Sequence, residues 1–145
     1  MLAHRPCTLR SQLALGQLVD NRGTKLPSAR NMYRLLWACD LEQQAHDWLA
    51  TCPSGPQLSK GENFYRGPAS GLSAWRDMNK KAVTEWWKVY RNVNGPGSSA
   101  VYTSSHEGTM IDSYTQMAWA KTRYLGCSIA TCDGDFVESC RYRVV

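Results

Sequence analysis

Apolar positions recur at helical spacing in three stretches of this chain. In TLRSQLALGQL, residues 8–18, Leu9, Leu13 and Leu15 with Ala14 follow a helix-compatible pattern, and Gly16 marks a stop. WACDLEQQAHDWLATC, residues 37–52, is more sharply amphipathic: Asp40 is expected as the N-cap, and Leu41, Ala45, Trp48, Leu49 and Cys52 share one face. A third helix is predicted over MNKKAVTEWWKVYRNV, residues 78–93, where Ala82, Val83, Trp86, Trp87 and Tyr90 repeat until NGPGSS ends it. Towards the C-terminus the pattern becomes β-like. YLGCSIATC and FVESCRYRVV are two runs separated by Asp133-Gly134, a pair that favours a tight hairpin. Residues 21–32 and 53–71 are rich in Gly, Pro, Ser and Asn and read as irregular surface stretches. Helices in front and a hairpin behind predict an α+β layered domain.

Composition refines this picture. A chain of 145 residues fits one domain, and at that size roughly two thirds of the unfolded surface is buried on folding. Six Trp and seven Tyr against two Phe mean that the large side chains carry polar handles, so polar seams are expected inside the core. The charge, 17 − 12 = +5, favours acidic partners or glycans in a general way. The basic residues are scattered, with only Lys80-Lys81 and the Arg141, Arg143 run resembling a patch, so no specific nucleic-acid footprint is expected. No apolar run is long enough for a transmembrane segment. The start of the chain lacks a secretory leader pattern, its apolar run being broken by His4, Arg5, Pro6 and Arg10.

The six cysteines are Cys7, Cys39, Cys52, Cys127, Cys132 and Cys140. An even count suits disulfides and an oxidising, extracellular setting. The rival zinc reading is weaker, because no Cys-x-x-Cys occurs and no histidine stands at a partner spacing. Export of a chain without a leader implies a mature form, a fragment or a domain of something longer.

DSYTQ, residues 112–116, is the densest polar cluster. A nucleophile at Ser113 needs a base and an orienting group; Asp112 and His106 are the candidates, and no Gly-x-Ser-x-Gly elbow surrounds it. The plainer reading has the cluster pack a helix-to-sheet junction, with Tyr114, Thr115 and Gln116 satisfying buried backbone groups and Met117 and Trp119 in the core. His46 is expected beside the apolar stripe and His4 in a fraying end. Asn63 reads as structural. Glu62 fits either a binding cleft or a buried carboxylate capping amides.

Several segments taken together, in order and spacing, resemble the CAP superfamily (SCP/TAPS). They are TLRSQLALGQ, NMYRLLW, GENFY, AVTEWW, YTQMAWAKT, LGCSIATC and SCRYRVV, nearest in wording to nematode activation-associated secreted proteins. The resemblance covers most of the chain as a single CAP domain, residues 1–145, shortened at both ends: Pro6-Cys7 replace the family's His-Asn, and the usual tail after the last strand is missing. It implies an α-β-α sandwich with a small, mainly antiparallel central sheet flanked by helices, stabilised by Cys127–Cys140 and Cys52–Cys132 disulfides. Cys7 and Cys39 are left without an assigned pairing.

Many CAP proteins carry a cleft with two His and two Glu that in some binds a divalent cation. By resemblance the four positions here are Pro56, Glu62, Val89 and Ser113. Proline offers no side-chain donor, valine no lone pair, and a neutral serine is a poor zinc ligand. A degenerate tetrad with no metal is therefore expected. The resemblance implies a secreted, non-enzymatic binding or host-interaction module without a cofactor, whose partner is an unknown protein or a small apolar ligand such as a sterol or fatty acid. Two alternatives stand beside it: a metal-dependent enzyme or metal-switched binder in a cleft around Glu62, Glu85 and His106, and a basic glycan-binding protein.

Overall fold

The computed structural model describes residues 4–144; the side chains of His4 and Arg5 lie outside what is described, and with them the expectation for His4. The elements are α1 (His4–Ala14), β1 (Leu36–Trp37), α2 (Cys39–Leu49), β2 (Glu62–Pro68), α3 (Trp75–Lys88), α4 (Asp112–Ala118), β3 (Thr122–Cys132) and β4 (Asp135–Val144). Two short 3-10 turns, Val89–Arg91 and Gly97–Ser99, follow α3.

The hairpin is the organising unit. Asp133 and Gly134 both take positive φ, 51° and 86°, the combination a two-residue turn needs to match the twist of its strands. That turn sets Cys127 opposite Cys140 and Cys132 opposite Asp135. β2 adds antiparallel to β4, and the two-residue β1 adds parallel to β3. The sheet order is therefore β1-β3-β4-β2.

Helices cover both faces. α2 lies on one, against β3 and β4, so closely that a Cβ at Gly126 would sit 2.3 Å from the Glu42 amide nitrogen. Only glycine permits that approach. On the other face α1, α3 and α4 enclose the main core, which includes Leu13, Val83, Trp86, Trp87, Tyr114, Met117 and Phe136. β4 is buried continuously from Phe136 to Tyr142, as a strand covered on both faces must be. Its period of two sends Val137 towards Leu49 of α2 and Phe136, Cys140 and Tyr142 towards the other three helices.

The expected α-β-α sandwich is thus present. Both expected disulfides are formed: Cys127–Cys140 crosses the hairpin, and Cys52–Cys132 ties the chain after α2 to its tip. Each restricts the unfolded chain and contributes about 2 to 4 kcal/mol. Cys7 and Cys39 are unbonded, the first half-buried and the second exposed.

Several local expectations need correction. α1 ends at Ala14 and leaves Leu15 65% exposed. The N-cap of α2 is Ala38, without a side-chain cap bond; Asp40 lies two residues further, inside the first turn, and pairs instead with Arg143 of β4. The third helix runs from Trp75 to Lys88, earlier than its apolar repeat. The stretch 53–71 contains β2, whose strand signal in Phe64 and Tyr65 is masked by flanking Gly61, Gly67 and Pro68. Trp119 follows α4 at 44% exposure rather than joining the core, while Met117 is buried as expected.

Candidate functional site

Glu62 opens β2, and its side chain is completely buried. One carboxylate oxygen accepts from the backbone N–H groups of Gln57 (2.9 Å) and Leu58 (2.7 Å). The other accepts from the Ser139 hydroxyl at 2.5 Å, and the Arg141 guanidinium lies 4.0 Å away. Arg141 in turn donates to the side-chain oxygens of Gln57 and Gln44. The carboxylate therefore fastens the 57–58 loop to β4, with three hydrogen bonds from protein donors. This is the amide-capping arrangement, built between a strand and the loop that precedes it.

Of the other positions singled out by resemblance, Pro56 and Val89 carry no side-chain donor atom, and the Ser113 hydroxyl is engaged by backbone. Pro56 is exposed in the loop, and Val89 packs against the core at the end of α3. The Ser113 hydroxyl sits 3.1 Å from the Trp86 carbonyl and 3.2 Å from that of Met110, so its proton goes to backbone. Asn63 links the region by donating to the Ser113 carbonyl and the Tyr142 hydroxyl. Glu85 is paired with Lys88 at 2.8 Å, and Glu107 with Lys60. The His106 Nδ1 accepts from the Thr103 N–H at 3.0 Å.

No triad assembles around Ser113 among these contacts. Asp112 accepts from the Tyr102 hydroxyl and the Gly108 N–H, both at 2.6 Å, and so braces the 102–108 loop. Desolvation and this bond push the Tyr102 hydroxyl up to about 12.

Sequence reasoning missed two buried charged groups. Arg10 donates to the carbonyls of Met117 (2.7 Å), Trp119 (2.8 Å) and Tyr33 (2.8 Å), closing the C-terminal end of α4 with a cation where the helix dipole is negative. Burial lowers its pKa. Glu138 is wholly buried; one oxygen accepts from Asn79 of α3 at 2.5 Å and the other has no partner. Desolvation raises its pKa to about 8, against the opposing effect of Asn79. Tyr142, beside it on the same face, is also raised, first by burial and then by the Glu138 charge. The alternation of FVESCRY was the available signal, since it places Glu138 on the face of Phe136 and Cys140.

A separate cavity of about 370 Å³ lies between the end of α1, the 26–32 loop, the 96–102 loop and α4. Leu13, Leu26, Met32, Tyr114 and Trp119 form much of its wall, and among the described residues Lys121 is the only charged one in its lining.

With this architecture in view, the comparisons with known proteins agree. The profile of the Cysteine-rich secretory protein family (CAP) matches residues 5–142, and the chain belongs to that family. It is 30% identical over 141 residues to Ancylostoma secreted protein of Ancylostoma caninum, covering 94% of this chain and 31% of that protein. It is 32% identical over 127 residues to Scoloptoxin SSD552 of Scolopendra dehaani, covering 80% and 56% respectively. Among solved structures, BmVAL-1 superposes with a TM-score of 0.88 at 29% identity, over 99% of this chain and 75% of that one. NaASP2, solved with Zn2+, gives 0.87 at 26% identity, over 97% and 76%. The chain thus spans less than two thirds of the length of these two curated relatives.

Proposed function

We propose that this chain is an extracellular, non-catalytic binding module that holds a small apolar ligand in the cavity between α1 and α4. The observation that carries the reading is that cavity: aliphatic and aromatic walls with Lys121 as the one charge among the described lining residues, the composition expected of a site for an apolar molecule with an anionic end. Membership of a secretory family supports the extracellular setting, as does similarity to a relative named as a secreted protein. The commitment of Glu62 to four protein partners supports a binding role over metal chemistry at the degenerate tetrad.

Titration with a fluorescent long-chain fatty acid tests this. Saturable binding is expected, lost in Ala118→Trp, which fills the cavity, and weakened in Lys121→Glu. Absence of binding, or binding unchanged by Ala118→Trp, would overturn it. The metal-dependent alternative is tested by zinc calorimetry: tight binding abolished by Glu62→Ala would establish it.

A further inference from the structure

A second cavity, of about 520 Å³, opens between α1 and the segment that leads into β1. Cys7, Thr8, Arg10 and Ser11 border it from the helix and Tyr33 and Arg34 from the other side, while Met32 lines both this cavity and the apolar one. The helical period accounts for the first group, whose positions recur at three- and four-residue steps along one stripe of α1. Where the apolar cavity has aliphatic and aromatic walls, this one carries two arginines and the hydroxyls of Thr8 and Ser11. Among the described residues no carboxylate lines it.

The positive character extends beyond the cavity. Arg10 is buried with its terminal nitrogens held by the Met117, Trp119 and Tyr33 carbonyls, so its charge is fixed in the wall. Arg34 is exposed and, among the described residues, has no hydrogen bond or ion pair. The Tyr33 amide donates to the Ala120 carbonyl at 3.1 Å, which sets this side of the cavity against the start of β3. There the strand period exposes Lys121 and Arg123 on either side of the wholly buried Thr122, and the Arg123 guanidinium lies 4.3 Å from the centre of the exposed Tyr33 ring. Asp40 and Glu42, the acids at the start of α2, are already engaged by Arg143 and the Trp37 indole. A strip of cations without acidic partners therefore continues from the cavity around a tyrosine ring.

We propose that this cavity and strip bind a sulfated polysaccharide, with one sulfate group entering the cavity against Arg34 and a neighbouring sulfate meeting Arg123. The planar guanidinium fork pairs with an oxyanion through two parallel hydrogen bonds, and the fixed charge of Arg10 adds attraction without giving up its carbonyl partners. Hydroxyls on α1 suit the hydroxyls of a sugar, and Tyr33 offers a ring with an apolar face and a polar tip beside them. The net charge of +5 draws a polyanion towards the molecule before contact. A concave site fits a group that projects from a chain; the flat surface of an anionic membrane presents no such group. The site shares only Met32 with the apolar cavity among the described residues, so it takes a different ligand.

The test is calorimetric titration of the full chain with a heparin hexasaccharide, beside the same saccharide stripped of its sulfates and vesicles of phosphatidylserine. Saturable binding of the sulfated form is expected, weakening as salt is added. Arg34→Ser and Arg123→Ser should each lower the affinity about tenfold; both side chains are exposed, so neither change should disturb the fold. Lys80→Ser/Lys81→Ser, on α3 and outside the site, should bind as wild type does. Cys7 supplies a direct readout, because its unbonded thiol lines the cavity while that of Cys39 is exposed elsewhere. Bound hexasaccharide should slow iodoacetamide labelling of Cys7 and leave the labelling of Cys39 unchanged. The proposal is overturned by no binding of the sulfated form, by equal binding of the stripped one, or by vesicle capture without saccharide binding. Affinity unchanged in both arginine variants, a loss in the lysine pair as large as in Arg34→Ser, or Cys7 labelling untouched at saturation overturns it as well.

Discussion

In the oxidised protein, replacing Glu138 with glutamine should flatten the alkaline side of the stability curve. Burial raises the folded pKa of this carboxyl from 4.5 to about 8. Between those values the folded protein keeps a proton that the unfolded chain has released, so stability falls as pH rises. The contribution is fully present below the unfolded pKa and is lost as pH climbs through the folded one. At about 1.4 kcal/mol per pKa unit, the loss between pH 5 and pH 8 comes to roughly 3 kcal/mol. Glutamine keeps the size and an acceptor for Asn79 but cannot ionise. Urea unfolding of wild type and Glu138→Gln, at pH 5 and pH 8 with both disulfides intact, measures the difference. The variant should lose about 3 kcal/mol less than wild type across this range and be the more stable of the two at pH 8. The unbonded thiols and the histidines are common to both proteins and drop out of the comparison. Parallel pH profiles would refute the reasoning and show that Glu138 ionises in the fold without penalty.

Three further outcomes follow from the contacts. Gly126→Ala should destabilise by roughly 3 kcal/mol in chemical unfolding, because its Cβ would meet the backbone of α2 rather than a side chain that can turn away. Arg10→Met should cost about 3 kcal/mol and raise hydrogen-exchange rates at the end of α4, since the Met117, Trp119 and Tyr33 carbonyls lose their donor. Glu62→Ala should cost about 2 to 3 kcal/mol, read by thermal unfolding, and should loosen the 57–58 loop as seen by exchange at the Gln57 and Leu58 amides.

The amino-acid sequence by itself determined the period-two hairpin with its Asp133-Gly134 turn, the apolar stripe of α2 and the order of segments that marks the family. These are local patterns, carried by neighbouring residues whose spacing is set by the backbone. The edge strand β2 escaped because it gains its hydrogen bonds from β4, some seventy residues away in sequence, and Gly61, Gly67 and Pro68 conceal its own preference. Asp40 has the residue type of an N-cap, yet α2 begins one residue earlier and Arg143, brought in by the sheet, claims the carboxylate. Tertiary structure alone decided that Glu62 is engaged by a loop and a neighbouring strand. It alone left one oxygen of Glu138 in the core beside a disulfide, and it alone gathered α1, α4 and two distant loops around an apolar cavity. A charged side chain's role depends on which donors and how much water surround it, and in a folded chain those are chosen by segments far apart in sequence.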